Sequence, residues 1–395
     1  MLSGMNTLNT LVHKEELSHR LSRLRVRLDL DHPEWHCATF LGRVNLYYLT
    51  GTMQNGILLI PRDGEAVFWV KRSHSRACSE SAFPDIRPMS SFRDAAGDAA
   101  SYGDTILLEM DTVPLSLYAR FNKAFGFART ESIDGSIAAV RSVKSDFELN
   151  LLRQAGAIHR AVLEDDLPPL LREGMSEAEL AADIFHALLQ RGHHAISRVH
   201  AFNSELMLGQ VCFGESALYG NPFTSPGGVR GIGPSAPFFG SPDRFLRPGD
   251  IISVDTGCNI QGYHSDKTVT LVFQGAFSPE AERAHRTCLE IERLAAERLR
   301  PGQIPSVIYE EILADLEPDF LSGFMGSGAE QVRFLGHGVG LEIDEYPVIA
   351  KGFDEPLEAN MVMALEPKAW IPDQGMVGTE NTFIVTPEGG VCITR

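Results

Sequence analysis

The sequence predicts two domains, a mixed α/β unit over residues 1–146 and an α+β unit over residues 147–395. Three observations carry the prediction. The chain has 395 residues, more than one ordinary hydrophobic core accommodates. Short strand-like runs alternate with helical ones along its length. Near residues 140–146 the pattern is broken by a capping box, Ser145 with Glu148, opening a helix that carries Leu151, Leu152, Ala155, Ile158 and Val162 on one face.

In the first unit, Leu21–Leu30 is expected to form an Arg-rich amphipathic helix. Asn45–Leu49 and Gly56–Ile60 read as strands. The turn Pro61-Arg62-Asp63-Gly64 joins the latter to Ala66–Val70 in a hairpin, and Thr105–Glu109 is a further strand. In the second unit, a second capping box, Ser176 with Glu179, opens a helix that stops at Gly192. Ser278-Pro279 starts a helix to about Leu299, and another spans about Ser306–Leu316. Residues 220–243, rich in Gly, Pro and Ser, read as a long loop of the kind that carries function.

Composition narrows the function classes. Hydrophobic content of 44% and charged content of 22% fit a soluble globular protein. With 35 basic and 52 acidic residues the net charge is −17, which argues against nucleic acid or an anionic membrane as a partner. The N-terminal stretch MLSGMNTLNTLVHKEELSHRL lacks the apolar core of a secretory signal, and no run reaches the ~18 apolar residues of a membrane span. The six cysteines include no CxxC pair. A cytoplasmic protein with reduced, mostly buried thiols is expected, with Cys258 packing and not ligating.

The chemistry concentrates in three stretches. VDTGCNIQGYHSD (254–266) reads as a hairpin presenting Asp255 and Asp266 on one face, with Gly257, Asn259 and Gly262 as turn residues. In MVMALEPKAWIPDQGMVGTENTFIV (361–385), the run Met361–Leu365 leads to Glu366, and Glu380 begins the strand Asn381–Val385. Pro372, Asp373, Gln374 and Gly375 supply the turn. GHGVGLEIDEYP (336–347) holds His337 between glycines that allow close approach. Four carboxylates meeting in an empty pocket repel, and two divalent cations reverse the sign. One histidine among carboxylates suits Mn²⁺, Fe²⁺, Co²⁺ or Zn²⁺ and not copper. Such a pair of ions generates a hydroxide nucleophile and polarises a carbonyl.

The set Asp255, Asp266, His337, Glu366 and Glu380, spaced by 11, 71, 29 and 14 residues, resembles that of the Xaa-Pro dipeptidase (prolidase) and aminopeptidase P family, whose pita-bread fold is shared with creatinase. NLYYLTG (45–51) and RSVKSDFEL (141–149) resemble the creatinase-like N-terminal domain and its junction with the catalytic one. The resemblance implies that Asp255 and Asp266 bind one metal and His337 the other, with Asp266 and Glu380 bridging. It implies a ligand role for Glu366, which also acts as general base, and a homodimer.

Three family features are missing. The phrase SAPFFG puts Phe239 where the family has a substrate-holding histidine. Asp344 stands where a second histidine is usual, and Gly378 where an arginine often lies. Phe239 would offer an apolar wall, and Asp344 an acceptor suited to a cationic group. His200 and His264 are the candidates for the lost donors. The expectation is therefore a dinuclear metallohydrolase cleaving a small peptide. The alternatives are creatinase-like C–N hydrolysis or lysis of a small zwitterionic or cationic metabolite, and a non-catalytic binding protein on the same fold.

Overall fold

The computed structural model describes residues 11–97, 102–202, 204–220 and 223–395. Residues 1–10 of the N-terminal stretch read above for a signal, and residues 221–222 of the Gly/Pro/Ser-rich loop, lie outside the described residues. The chain divides into two compact units between Arg141 and Ser142.

The first unit begins with α1 (Lys14–Asp31), which buries Leu17, Arg20, Leu24 and Leu28 along one stripe. It starts seven residues before the helix read from sequence, and no side chain caps it at His13, so no local signal marked the start. The rest of the unit runs β1 (Cys37–Phe40), α2 (Arg43–Thr50), β2 (Gly56–Pro61), β3 (Val67–Val70), α3 (His74–Glu80), β4 (Ile86–Pro88), α4 (Phe92–Ala95), β5 (Thr105–Leu108), α5 (Leu115–Phe125), β6 (Arg129–Ser132) and α6 (Asp134–Ser142). The six strands form one mixed sheet in the order β4-β3-β2-β1-β5-β6. The hairpin β2–β3 is present as expected. The strand expected at Asn45–Leu49 is instead the helix α2. Asn45, Leu46, Tyr48 and Leu49 are buried, a spacing that a helix satisfies and a half-buried strand does not. Gly51 ends the helix at φ 77°, its N–H bonded to Tyr47 O.

The second unit opens with α7 (Asp146–Arg160), whose capping box forms: Ser145 and Glu148 exchange side chain-to-backbone hydrogen bonds. A π-helical stretch, Ala161–Asp166, leads into α8 (Leu167–Leu170). Then follow α9 (Glu177–Gln190), β7 (Gly209–Phe213), β8 (Ile251–Ile260), β9 (Tyr263–Val272), α10 (Pro279–Glu297), α11 (Pro305–Ala314), α12 (Pro318–Leu321), β10 (Phe334–Gly338), β11 (Glu345–Ala350), β12 (Val362–Leu365), β13 (Lys368–Ile371), β14 (Gly375–Gly378), β15 (Asn381–Thr386) and β16 (Gly389–Cys392). Strands β7-β8-β9 form one antiparallel sheet and β11-β10-β12-β15-β16 another, with β13-β14 a separate ribbon. Helices cover them through two apolar cores. One gathers Leu163, Leu180, Ile184 and Leu188 against Val211, Ile252, Val254 and Cys258. The other gathers Cys288, Ile291 and Ile308 against Met363, Leu365, Val377 and Phe383.

One hairpin differs from expectation. Gly257 and Asn259 lie within β8, and the turn is only Gln261-Gly262, both at positive φ (51° and 84°), as a two-residue type I′ loop requires. Gly257 has another role: a Cβ there would come within 2.7 Å of Ile343 Cδ1 and 3.0 Å of Ser197 Oγ.

Candidate active site

Register explains why five distant residues converge. In β8–β9, Asp255 lies opposite Thr268, and Gly257 opposite Asp266. The two aspartates are therefore diagonal neighbours on one face, not a directly opposed pair. Strands β12 and β15 pair Leu365 with Asn381, and β13 and β14 pair Lys368 with Gly378 in the same register. The two strand pairs are thus one long hairpin, pinched where Pro367 has no N–H to give. Glu366 and Glu380 oppose each other at that pinch.

A bridge between Thr268 and Glu380 joins the two halves. Asp266 N donates to Thr382 Oγ1 (2.9 Å), which donates back to Asp266 O (2.8 Å). One row across the strands therefore reads Asp255, Thr268, Glu380, Glu366. The next reads Asp266, Thr382, Ala364, His337, with His337 opposite Ala364. Residues two apart on a strand share a face, so all five sequence-predicted ligands point to one side. They line a common cleft with Gln210, Phe223, Thr224, Ser225, Ile343 and Asp344.

The sequence reading missed Lys368. It stands two residues after Glu366 on the same face and is 2% exposed. Its Nζ donates to Asp255 Oδ2, Glu366 Oε2 and Glu380 Oε2, each at 2.9 Å. An ammonium has three donors, and each meets a carboxylate. The signal was available as the alternation Glu366-x-Lys368 together with Gly378. The position that lacks the family's arginine is the cross-strand partner of Lys368, and a Cβ on Gly378 would lie 3.1 Å from Lys368 Cγ.

His337 Nε2 lies 3.5 Å from Glu366 Oε1, 3.8 Å from Glu380 Oε1 and 3.9 Å from Asp266 Oδ2. Thr268 Oγ1 donates to Glu380 Oε2 at 2.9 Å. Burial works against the charge on Lys368, but Asp255, Glu366 and Glu380 hold its pKa well above the usual lysine value. Burial likewise disfavours imidazolium at His337, and Asp344, Glu366 and Glu380 overcome it. Asp266 receives no bond from the ammonium; burial, then Glu380 and Asp255, push its carboxyl well above the ordinary range.

Among the described residues, one group of side chains is close enough to hold a metal ion. It is Asp266, His337 and Glu380, all buried, with one ligand atom from each within 4.8 Å of the others. One histidine and two carboxylates fit a divalent first-row ion. The corner formed by Asp255 and Glu366 fits a second ion poorly, since an oxygen of each faces Lys368.

The four candidate substrate contacts fall in different places. Asp344 lines the cleft, 53% exposed, with Oδ1 3.4 Å from His337 Nδ1. Phe239 does not line it. It has φ 85°, pairs with Gln210 through its backbone, and packs against the apolar core beneath β7 and β8. His264 is fully buried, its Nδ1 facing Gly340 O and its Nε2 accepting from Arg198 N, and it holds two loops together. His200 is exposed, 3.4 Å from Glu342 and away from the cleft lining. Neither histidine is among the residues that line the cleft. Gln210, opposite Asp255 on β7, is a polar side chain of the lining that the sequence reading did not single out.

Residues 150–387 match the profile of metallopeptidase family M24, and residues 20–143 that of the creatinase/prolidase N-terminal domain. An uncharacterized peptidase of Staphylococcus aureus (strain USA300) is 25% identical over 375 residues, covering 93% of this chain and 97% of its own. Among solved structures, the prolidase of Pyrococcus horikoshii OT3 superposes with a TM-score of 0.78 at 21% identity, over 95% of this chain and 98% of that one. The Xaa-Pro dipeptidase of Bacillus anthracis gives 0.78 at 24% identity, over 96% and 98%. At these identities the two structures speak for the fold: a creatinase-like domain followed by a pita-bread catalytic domain.

Proposed function

The chain belongs to metallopeptidase family M24, and from that premise we propose that it hydrolyses the peptide bond of a small substrate, Xaa-Pro dipeptides first among them. The observation that carries the reading is the alignment of Asp255, Asp266, His337, Glu366 and Glu380 in two adjacent cross-strand rows on one face. A site for binding alone has no need of four converging carboxylates, three of them buried and Asp255 half-buried, whose mutual repulsion is destabilising.

Asp266, His337 and Glu380 would hold a divalent ion. Such an ion supplies Lewis acidity for the scissile carbonyl and lowers the pKa of water. The neighbouring side chains do the remaining work. Glu366 is the proposed general base: Oε2 is anchored by Lys368, which leaves Oε1, facing His337, to accept a proton and return it to the departing amine. Thr268 and Lys368 together fix Glu380 Oε2. Gln210 and the segment Phe223–Ser225 form the wall against which the substrate lies.

A second reading, C–N hydrolysis or lysis of a small cationic or zwitterionic metabolite, is favoured by one observation. Asp344 borders the cleft as an acceptor, and among the described residues no histidine other than His337 lines it. A positive group would be held there and a free peptide carboxylate would not. We also propose a cytoplasmic homodimer. All six cysteines are free thiols, and among the described residues no helix is long and apolar enough to cross a membrane. The dimer rests on the family resemblance.

The test is a substrate panel run on chelated and on Mn²⁺-reconstituted enzyme: Xaa-Pro dipeptides, other dipeptides, small amidines and betaines. Metal-dependent turnover of a dipeptide is expected. Turnover confined to the amidines or betaines replaces the first reading with the second, and no metal-dependent turnover of any class overturns both.

A further inference from the structure

We propose that Lys368 is a built-in cation occupying the place of a second divalent ion, so that this chain holds one ion, at Asp266, His337 and Glu380. The inference rests on the reading of the cleft as a metal-dependent hydrolytic site and deepens it.

The geometry is that of a coordinated ion. One positive centre touches three carboxylates from three separate strand segments, all at 2.9 Å. Two of them, Asp255 and Glu366, lie outside the only group of residues spaced to hold a metal among those described. The third, Glu380, divides its oxygens. Oε2 takes Lys368 and Thr268, while Oε1 is the atom 3.8 Å from His337. The cluster is thus sorted into an ammonium corner and a metal corner that share Glu380 and meet at Glu366.

Lys368 is held in this role by its surroundings. It sits in β13 directly opposite Gly378, where an added Cβ would run into Pro367 O and come within 2.7 Å of Lys368 Cα and 3.1 Å of Lys368 Cγ. At 2% exposure it has no access to water to replace the three carboxylates. A divalent ion bound to Asp255 would lie beside a fixed positive charge, in a place where screening is weak. Charge balance agrees. Four carboxylates face one ammonium and one divalent ion, which offset three of the four negative charges. By the same logic an ammonium cannot bring a water to reactivity as a metal does, so hydrolysis is left to a single ion.

The experiment is metal stoichiometry on the full-length protein. Chelated wild type, Lys368→Arg and Lys368→Ala are titrated with Mn²⁺ by calorimetry, with elemental analysis and electron paramagnetic resonance on the loaded samples. Wild type and Lys368→Arg should bind one equivalent and give the hyperfine pattern of an isolated ion. Lys368→Ala, purified with Mn²⁺ present in case it is unstable without it, should bind two and give an exchange-coupled spectrum. Two equivalents or a coupled spectrum in wild type overturns the inference, and so does a folded Lys368→Ala that stays at one. One equivalent in wild type and two in Lys368→Ala, without peptidase activity, would uphold the inference while removing the proposed function. No bound Mn²⁺ in any of the three would remove both.

Discussion

Replacing Lys368 with methionine keeps most of the side-chain volume and removes the charge. Its effect on the metal-free protein can be worked from the contacts. The ammonium makes three charge-assisted hydrogen bonds of 2.9 Å, to the buried Glu366 and Glu380 and the half-buried Asp255. Each such bond is worth about 1.5–3 kcal/mol. A full sum would overshoot, because unpaired buried carboxylates take up protons and escape part of the penalty. The figure for breaking a buried pair by deleting one partner, about 3–5 kcal/mol, is the better guide. For a unit of this size that is a fall of roughly 6–20 °C in melting temperature. Urea unfolding and thermal melts of Lys368→Met and wild type in chelator measure it. Mn²⁺ should then rescue the variant more than wild type, because the vacated corner binds ion; at ~100 times Kd each site adds about 2.7 kcal/mol. A Lys368→Met protein within about 1 kcal/mol of wild type in chelator would mean that the carboxylates do not depend on the ammonium.

Glu366→Gln should lower turnover by about 10²–10⁴-fold with bound metal unchanged by elemental analysis; turnover within a few-fold of wild type would remove the base assignment. Phe239→Leu should cost about 1 kcal/mol in urea unfolding and leave KM unchanged, because Phe239 packs under the sheet; a tenfold rise in KM would return it to the substrate site. Acid should weaken the fold through His193. Burial, then the charge of His264, lowers its pKa to about 4, while the unfolded value is about 6.5. The folded state therefore binds fewer protons between those values. Stability from this group is whole above about pH 6.5 and falls by about 3 kcal/mol as the pH drops towards 4. His193→Gln should flatten that part of the curve of urea-unfolding free energy against pH, and an unchanged slope would contradict the assignment.

Much of the site was legible because it lies where strand periodicity is strictest. The two Asp and two Glu were found as carboxylates at strand positions, and the observed hairpins and the bridge from Thr268 to Glu380 put them on a single face. The capping boxes at Ser145 and Ser176 and the helix beginning at Pro279 were read correctly, because capping is local chemistry written in adjacent residues. The failures are those of range and context. Asn45–Leu49 has the aromatic and aliphatic make-up of a strand, but its burial follows a helix. Gly257 and Asn259 looked like turn residues because glycine and asparagine favour turns; here glycine makes space beneath Ile343, and Asn259 donates to Ile196 O. Phe239 was placed by its match to a motif, and a motif does not report which way a side chain at φ 85° points. Lys368 was overlooked because a lysine in a strand is ordinarily solvated. Only the register, which pairs it with Gly378 and sets it over Asp255, shows it to be buried among carboxylates.

The site is proposed to work with a single ion, completed by Lys368, and to cleave a small peptide. The most direct test is to add Mn²⁺ to metal-free enzyme in sub-stoichiometric steps while following cleavage of the best dipeptide from the panel. Activity should be absent at the start, rise linearly, and reach its plateau at one equivalent per chain. Cleavage that persists in chelator, or that begins only as a second equivalent is added, would contradict it.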